Sequence, residues 1–135
     1  MDLSDATRTT AALLLLSIVA VESGGLFLLT VVPRRRSVTP FQMAFYRAGH
    51  AHAGVLVTLA LASQVFVDAA ALDGLAATVA RSGIAAAAIL MPAGFFLAAS
   101  GRERTRPNRL VVLVYLGAVS LGLGAVTLGL GLLGV

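Results

Sequence analysis

Four long apolar runs, separated by short polar segments, set the pattern of the chain. The first, residues 9–32, reads TTAALLLLSIVAVESGGLFLLTVV and stops at Pro33 and the triplet Arg34-Arg35-Arg36. At ~1.5 Å per residue, a helix of that length crosses a hydrocarbon core of ~30 Å. The second, residues 40–67, has a marked start: Thr39 is placed to be the N-cap, Pro40 the first helical residue and Gln42 the reciprocal partner of a capping box. Asp68 and Asp73 bound the turn after it. The third spans about 78–100, with Leu72 to Val79 either beginning the helix or lying on the surface. Pro92 falls inside this run, where it is expected to kink the helix. The fourth covers about 110–134, with Asn108 as its cap. The pattern therefore predicts an all-α, integral membrane four-helix bundle, a single four-span domain over residues 1–135.

Composition supports that reading. Only 12% of the 135 residues are charged and the mean hydropathy is +0.96, whereas a soluble domain carries about a quarter charged residues. All ten basic residues are arginine, for a net charge of +4. Seven of them sit in two loops, Arg34 to Arg36 and Arg102, Arg104, Arg106 and Arg109. That placement marks topology rather than nucleic-acid binding. With four spans the two loops share a side, and the other side carries Asp2, Asp5, Arg8, Asp68 and Asp73. The positive-inside rule puts both arginine loops in the cytoplasm and both termini outside. A cleaved signal peptide would want positive charge before the first run. Here Asp2 and Asp5 precede it and the arginines follow. Without cysteine, disulfides and thiolate metal sites are excluded.

Four ionisable residues fall well inside the spans: Glu22, Arg47, His50 and His52. Such residues are costly in a bilayer and usually pair or face a cavity. Glu22 and His50 each lie about 15 Å from the arginine-loop end of their spans, counting ~1.5 Å per residue. Matched depth predicts one polar proton or ligand site between spans one and two, built from Glu22, Arg47 and His50. Arg47 and His50, three residues apart, share a face. His52 points about 160° away from His50 at ~100° per residue, so the two cannot chelate one metal from a regular helix, and no metal site is expected. For each residue there is a plainer role: a register-fixing ion pair, a hydrogen-bonded core histidine, or packing. Gln64 and Arg81 lie near the outer ends of their spans, where solvation and snorkelling are expected.

On span four, Gly117, Ser120, Gly124, Thr127 and Gly131 form one small-residue stripe. Such a stripe serves helix packing inside the chain or the seam of a homodimer.

FYRAGHAHAGVLVTL (Phe45 to Leu59), RSGIAAAAILMPAGFFL (Arg81 to Leu97) and RPNRL (Arg106 to Leu110) resemble a group of small bacterial four-span integral membrane proteins with an RxGHxH element on the second span. Here that element is Arg47, Gly49, His50 and His52. The resemblance implies the bacterial cytoplasmic membrane and four spans, and no activity. The layout is also similar to small multidrug transporters, which carry a carboxylate in the first span.

The leading functional expectation is a subunit for proton-coupled transport or a channel, with Glu22 as the protonatable site and no cofactor. The second is a membrane anchor or redox subunit binding haem b, through His50 or His52, or quinone. The third is a non-catalytic accessory protein. An enzyme is the weakest reading, because no nucleophile constellation, phosphate cradle or aspartate cluster is present. The partner expected in every case is the lipid bilayer, with no nucleic acid.

Overall fold

The computed structural model describes residues 2–31 and 37–134, so the Arg34 to Arg36 triplet lies outside the described residues. The described residues form four α-helices: α1 (Asp5–Val31), α2 (Pro40–Ala69), α3 (Gly74–Ala98) and α4 (Val112–Leu133). Each is long and apolar enough to cross a membrane. Among the described residues there is no strand.

Local chemistry explains the boundaries. Helix α1 starts four residues before the apolar run because Ser4 caps it, its hydroxyl accepting from Thr7 N at 3.2 Å. At α2 the capping box forms in both directions: Gln42 N donates to the Thr39 hydroxyl, and Thr39 N to Gln42 Oε1. The segment at residues 74–79 begins α3, and the helix then continues through Pro92 to Ala98. A 3₁₀ turn, Arg109–Val111, leads into α4, with Asn108 capping it through Leu110 N at 2.8 Å. Gly134, at φ 75°, closes α4 in the left-handed conformation that glycine adopts without steric cost.

The helices pack in chain order. Helix α3 lies against α2 on one side and α4 on the other; α1 leans on α2 and scarcely reaches α3. The core runs through Leu14, Leu56, Val57, Ala60, Ile84 and Leu128. Large side chains such as Leu16, Val19, Leu29, Val55 and Leu133 are exposed on the outside, as in a bundle solvated by lipid.

Close approach of α3 and α4 uses the predicted small-residue stripe. A Cβ on Gly124 would lie 2.9 Å from Ile84 N, and one on Gly117 2.4 Å from Met91 Cγ. Gly131 sits against Leu72, and the Ser120 hydroxyl donates to Gly83 O at 2.8 Å. Thr127 is half-buried on the same helix. The stripe thus packs inside the chain, against α3 and Leu72.

Candidate functional site: an intramembrane cavity at His50

Where α1 and α3 fail to meet, they leave a cavity of about 410 Å³ floored by α2. Its length follows from its lining on α1, which runs from Thr10 to Gly24; fourteen residues of helix rise about 21 Å. Leucine, valine, alanine and isoleucine side chains make most of the wall, with Thr10, Ser17, Ser82 and His50 as its polar points. Pro92 and Ala88 line it together. Proline has no N–H for the carbonyl four residues earlier, so Ala88 O lacks its ordinary helical donor. The volume lies within the ~300–1,000 Å³ typical of small-molecule sites.

His50 enters this space because of glycines on α1. A Cβ on Gly25 would stand 3.1 Å from His50 Cε1, and one on Gly24 3.6 Å from His50 Nδ1. Nδ1 is buried and has no hydrogen-bond partner. Among buried side-chain nitrogens and oxygens of the described residues it alone is unsatisfied, and such groups are rare in native structures. A second, more open recess of about 330 Å³ adjoins the cavity at Ala20, Gly24 and Phe96 and adds Ser23 and Phe27. Phe96 is held from two sides, stacked on Tyr46 at 5.6 Å and edge-on to Phe27 at 6.3 Å. Gly49 makes this possible: a Cβ there would lie 2.8 Å from the Phe96 ring.

The expected buried site uniting Glu22, Arg47 and His50 is not assembled. Glu22 and Arg47 are both exposed, and neither has a hydrogen bond or ion pair among the described residues. Two geometric reasons account for this. The inward stripe of α1 runs through Leu14, Ser17, Val21 and Gly24, and that of α2 through Tyr46, Gly49, Ala53 and Val57. Glu22 and Arg47 each sit one residue, about 100°, off these stripes. Depth also fails to match. His50 lies level with Gly24 and Gly25, which leaves Glu22 about 4 Å toward one end and Arg47 about 4.5 Å toward the other, at ~1.5 Å per residue.

His52 stands apart from His50. Its ring packs on Phe95 at 4.9 Å, and Nδ1 donates to Ala48 O at 2.7 Å. No cluster of three or more histidine, aspartate or glutamate side chains converges among the described residues.

A polar network that the sequence reading missed joins three helices at the opposite end of the cavity from His50. Arg81 on α3 pairs with Asp68 at 3.1 Å and also donates to Gln64 Oε1 and the Thr7 hydroxyl. Asp68 in turn accepts from the Ser4 amide and hydroxyl, each at 2.9 Å. Gln64 is fully buried rather than solvated, and Arg81 pairs inward rather than snorkelling. A signal was present: the turn at residues 70–73 is short, so α2 and α3 are antiparallel neighbours and the polar residues flanking it share one end of the bundle.

At the arginine-loop end, Gln42 Nε2 donates to Ala99 O and Gly101 O at 2.9 and 2.8 Å. No protein-family model, curated protein or solved structure matches the chain.

Proposed function

We propose that this protein is a bacterial membrane subunit that takes one lipid-soluble, mostly apolar molecule from the bilayer into the α1–α3 cavity, as a carrier or as the ligand-holding anchor of a larger assembly. The supporting observation is the ligand-sized, mostly apolar space between α1 and α3, with His50 in its lining. Apolar walls with a few polar points are the make-up of a site for a mostly apolar ligand, and Thr10, Ser17 and Ser82 are among the polar points here.

Proton-coupled transport through Glu22 has less support, because Glu22 and Arg47 face away from the cavity. Haem b also fits poorly. The imidazole edge bearing Nε2 abuts α1, 3.4 Å from where a Gly25 Cβ would stand, which leaves no room there for a ligated macrocycle. The ring is pinned between helices, as suits a hydrogen-bonding side chain better than an axial ligand.

Photolabelling tests the cavity reading. A long-chain alcohol bearing a diazirine, added to the protein in lipid nanodiscs, is expected to label cavity residues of α1 and α3, with unlabelled alcohol competing. Ala86→Phe, which fills the space from α3, should cut that labelling several-fold. Label spread evenly over the exposed helix faces, and indifferent to Ala86→Phe, would reject the proposal.

A further inference from the structure

Resting on the cavity reading, we infer that the occupant is a single-chain amphiphile with an uncharged hydroxyl head, its head beside Thr10 and Ser82 and its chain running along α1 to Phe96.

Section and length define the chain. A space of about 410 Å³, spread over the ~21 Å of α1 between Thr10 and Gly24, has a mean section of about 20 Å². One extended hydrocarbon chain, packed at the ~4 Å contact distance of carbon atoms, fills such a section, whereas two chains abreast do not fit. Leu14, Val21, Val57, Ala85, Ala88 and Pro92 give this stretch its apolar walls. The Ser17 hydroxyl is already bonded to Leu14 O at 2.6 Å, and His50 Nδ1 is buried beyond the occupant's reach. At the far end the chain meets the Phe96 ring, which Tyr46 and Phe27 hold in place.

Free hydroxyls place the head at the opposite end. Thr10 and Ser82 line the cavity, and neither has a hydrogen bond among the described residues. Thr10 Oγ1 is also accessible, because His50 Nδ1 alone is both buried and unpartnered among the side-chain nitrogens and oxygens described. The two residues share one end of the bundle. Ser82 follows Arg81, and Thr10 lies one turn beyond Thr7, whose hydroxyl accepts from Arg81 and donates to Gln64 O. Helix α1 has 27 residues, about 40 Å against a hydrocarbon core of ~30 Å, so Thr10 stands just inside the hydrocarbon edge. Leu13, Ser82 and Ile89 are exposed as well as lining. The space therefore opens sideways between α1 and α3, and an amphiphile enters from the bilayer with its head already at that depth.

Charge excludes an ionic head. Among the described residues no arginine, aspartate or glutamate lines the cavity, so an ion there would be desolvated without a counter-charge. Arg81, next to Ser82, is committed to Asp68, Gln64 and Thr7. A hydroxyl both donates and accepts, as do those of Thr10 and Ser82, and needs no counter-charge.

Two photoreactive hexadecanols in phosphatidylcholine nanodiscs test the placement, one with its diazirine beside the hydroxyl and one with it at the chain tip. The first should label around Thr10, Leu13 and Ser82, the second around Ala20, Gly24 and Phe96. A reversed or identical pattern overturns the orientation. Competition against the first label tests the head: hexadecanol should compete about fivefold better than hexadecane or hexadecyl sulfate, the worth of one hydrogen bond. Thr10→Val combined with Ser82→Ala should abolish that advantage and leave hexadecane competition unchanged, which also reports an intact cavity. Hexadecane or the sulfate competing as well as hexadecanol overturns the head assignment and leaves the cavity reading intact. A double variant that loses hexadecanol and hexadecane equally also overturns it, since the two hydroxyls would then only shape the space. A dihexadecyl glycerol that competes as well as hexadecanol overturns the single chain. If no compound competes and label spreads evenly over the exposed helix faces, the cavity reading fails and this inference with it.

Discussion

Arg81 and Glu22 are both ionisable side chains on apolar helices, and the fold gives them opposite surroundings. Arg81 is largely buried, its guanidinium shared among Asp68, Gln64 and Thr7. Glu22 is exposed with no partner among the described residues. Removing one member of this partly buried pair forfeits charge-assisted hydrogen bonds worth about 1.5–3 kcal/mol. Arg81→Ala is therefore expected to destabilise the fold on that scale. Glu22→Gln should leave stability within about 0.5 kcal/mol of the parent, as for surface changes that break no contact. Denaturant titration in mixed micelles, followed by circular dichroism, compares the two. Equal losses would contradict the assignment of the buried pair to Arg81. These residues also show what the sequence concealed. Glu22 and His50 are equally distant from the ends of their apolar runs, and equal distance predicts contact. In the fold, Gly24 and Gly25 rather than Glu22 meet His50. Helical phase then turns the carboxylate outward, which no count of depth reveals.

Helices themselves were legible because their determinants are local. The Thr39–Gln42 capping box, the Asn108 cap and the four apolar runs are each contained within a few residues of sequence. The cavity was not legible, since it is the space left where α1 leans on α2 and leaves α3 uncovered. The small-residue stripe on α4 lay between these cases: its spacing marked a packing face, while the choice of partner depended on tertiary structure. That choice is testable. Any side chain at Gly124 meets α3, since a Cβ alone would stand 2.9 Å from Ile84 N. At Gly122, a Cβ would meet nothing within 4 Å. Gly124→Leu should therefore force α3 and α4 apart, at a cost of about 1–3 kcal/mol or more for overpacking, whereas Gly122→Leu should be nearly neutral. Thermal unfolding in one detergent measures both, and a larger loss for Gly122→Leu would place the tight contact on the wrong face of α4.

At the scale of the whole molecule, the two ends of the bundle differ in charge, and that difference carries orientation. One end holds Asp2, Asp5, Asp68 and Asp73 with Arg8; the other holds the loop GRERTRPNR, and in the sequence the Arg34 to Arg36 triplet falls between α1 and α2. The ion pair between Arg81 and Asp68 belongs to the aspartate end and compensates that arginine internally, so it leaves the bias of the other end unopposed. Arginine in short loops biases retention in the cytoplasm, whereas Asp and Glu contribute little. Two arginine loops on one side reinforce each other, because four antiparallel helices force the first and third connections to the same face. We therefore expect the arginine loops inside, both termini outside, and His50 nearer the cytoplasmic end of the cavity than Thr10. Enzyme-reporter fusions at Arg36, Asp73 and Arg104 read this directly: the middle fusion should be active with a periplasmic reporter and the flanking two with a cytoplasmic one. The reverse pattern would invert the bundle. The Arg81–Asp68–Thr7 network would then lie at the cytoplasmic end and His50 nearer the outer leaflet.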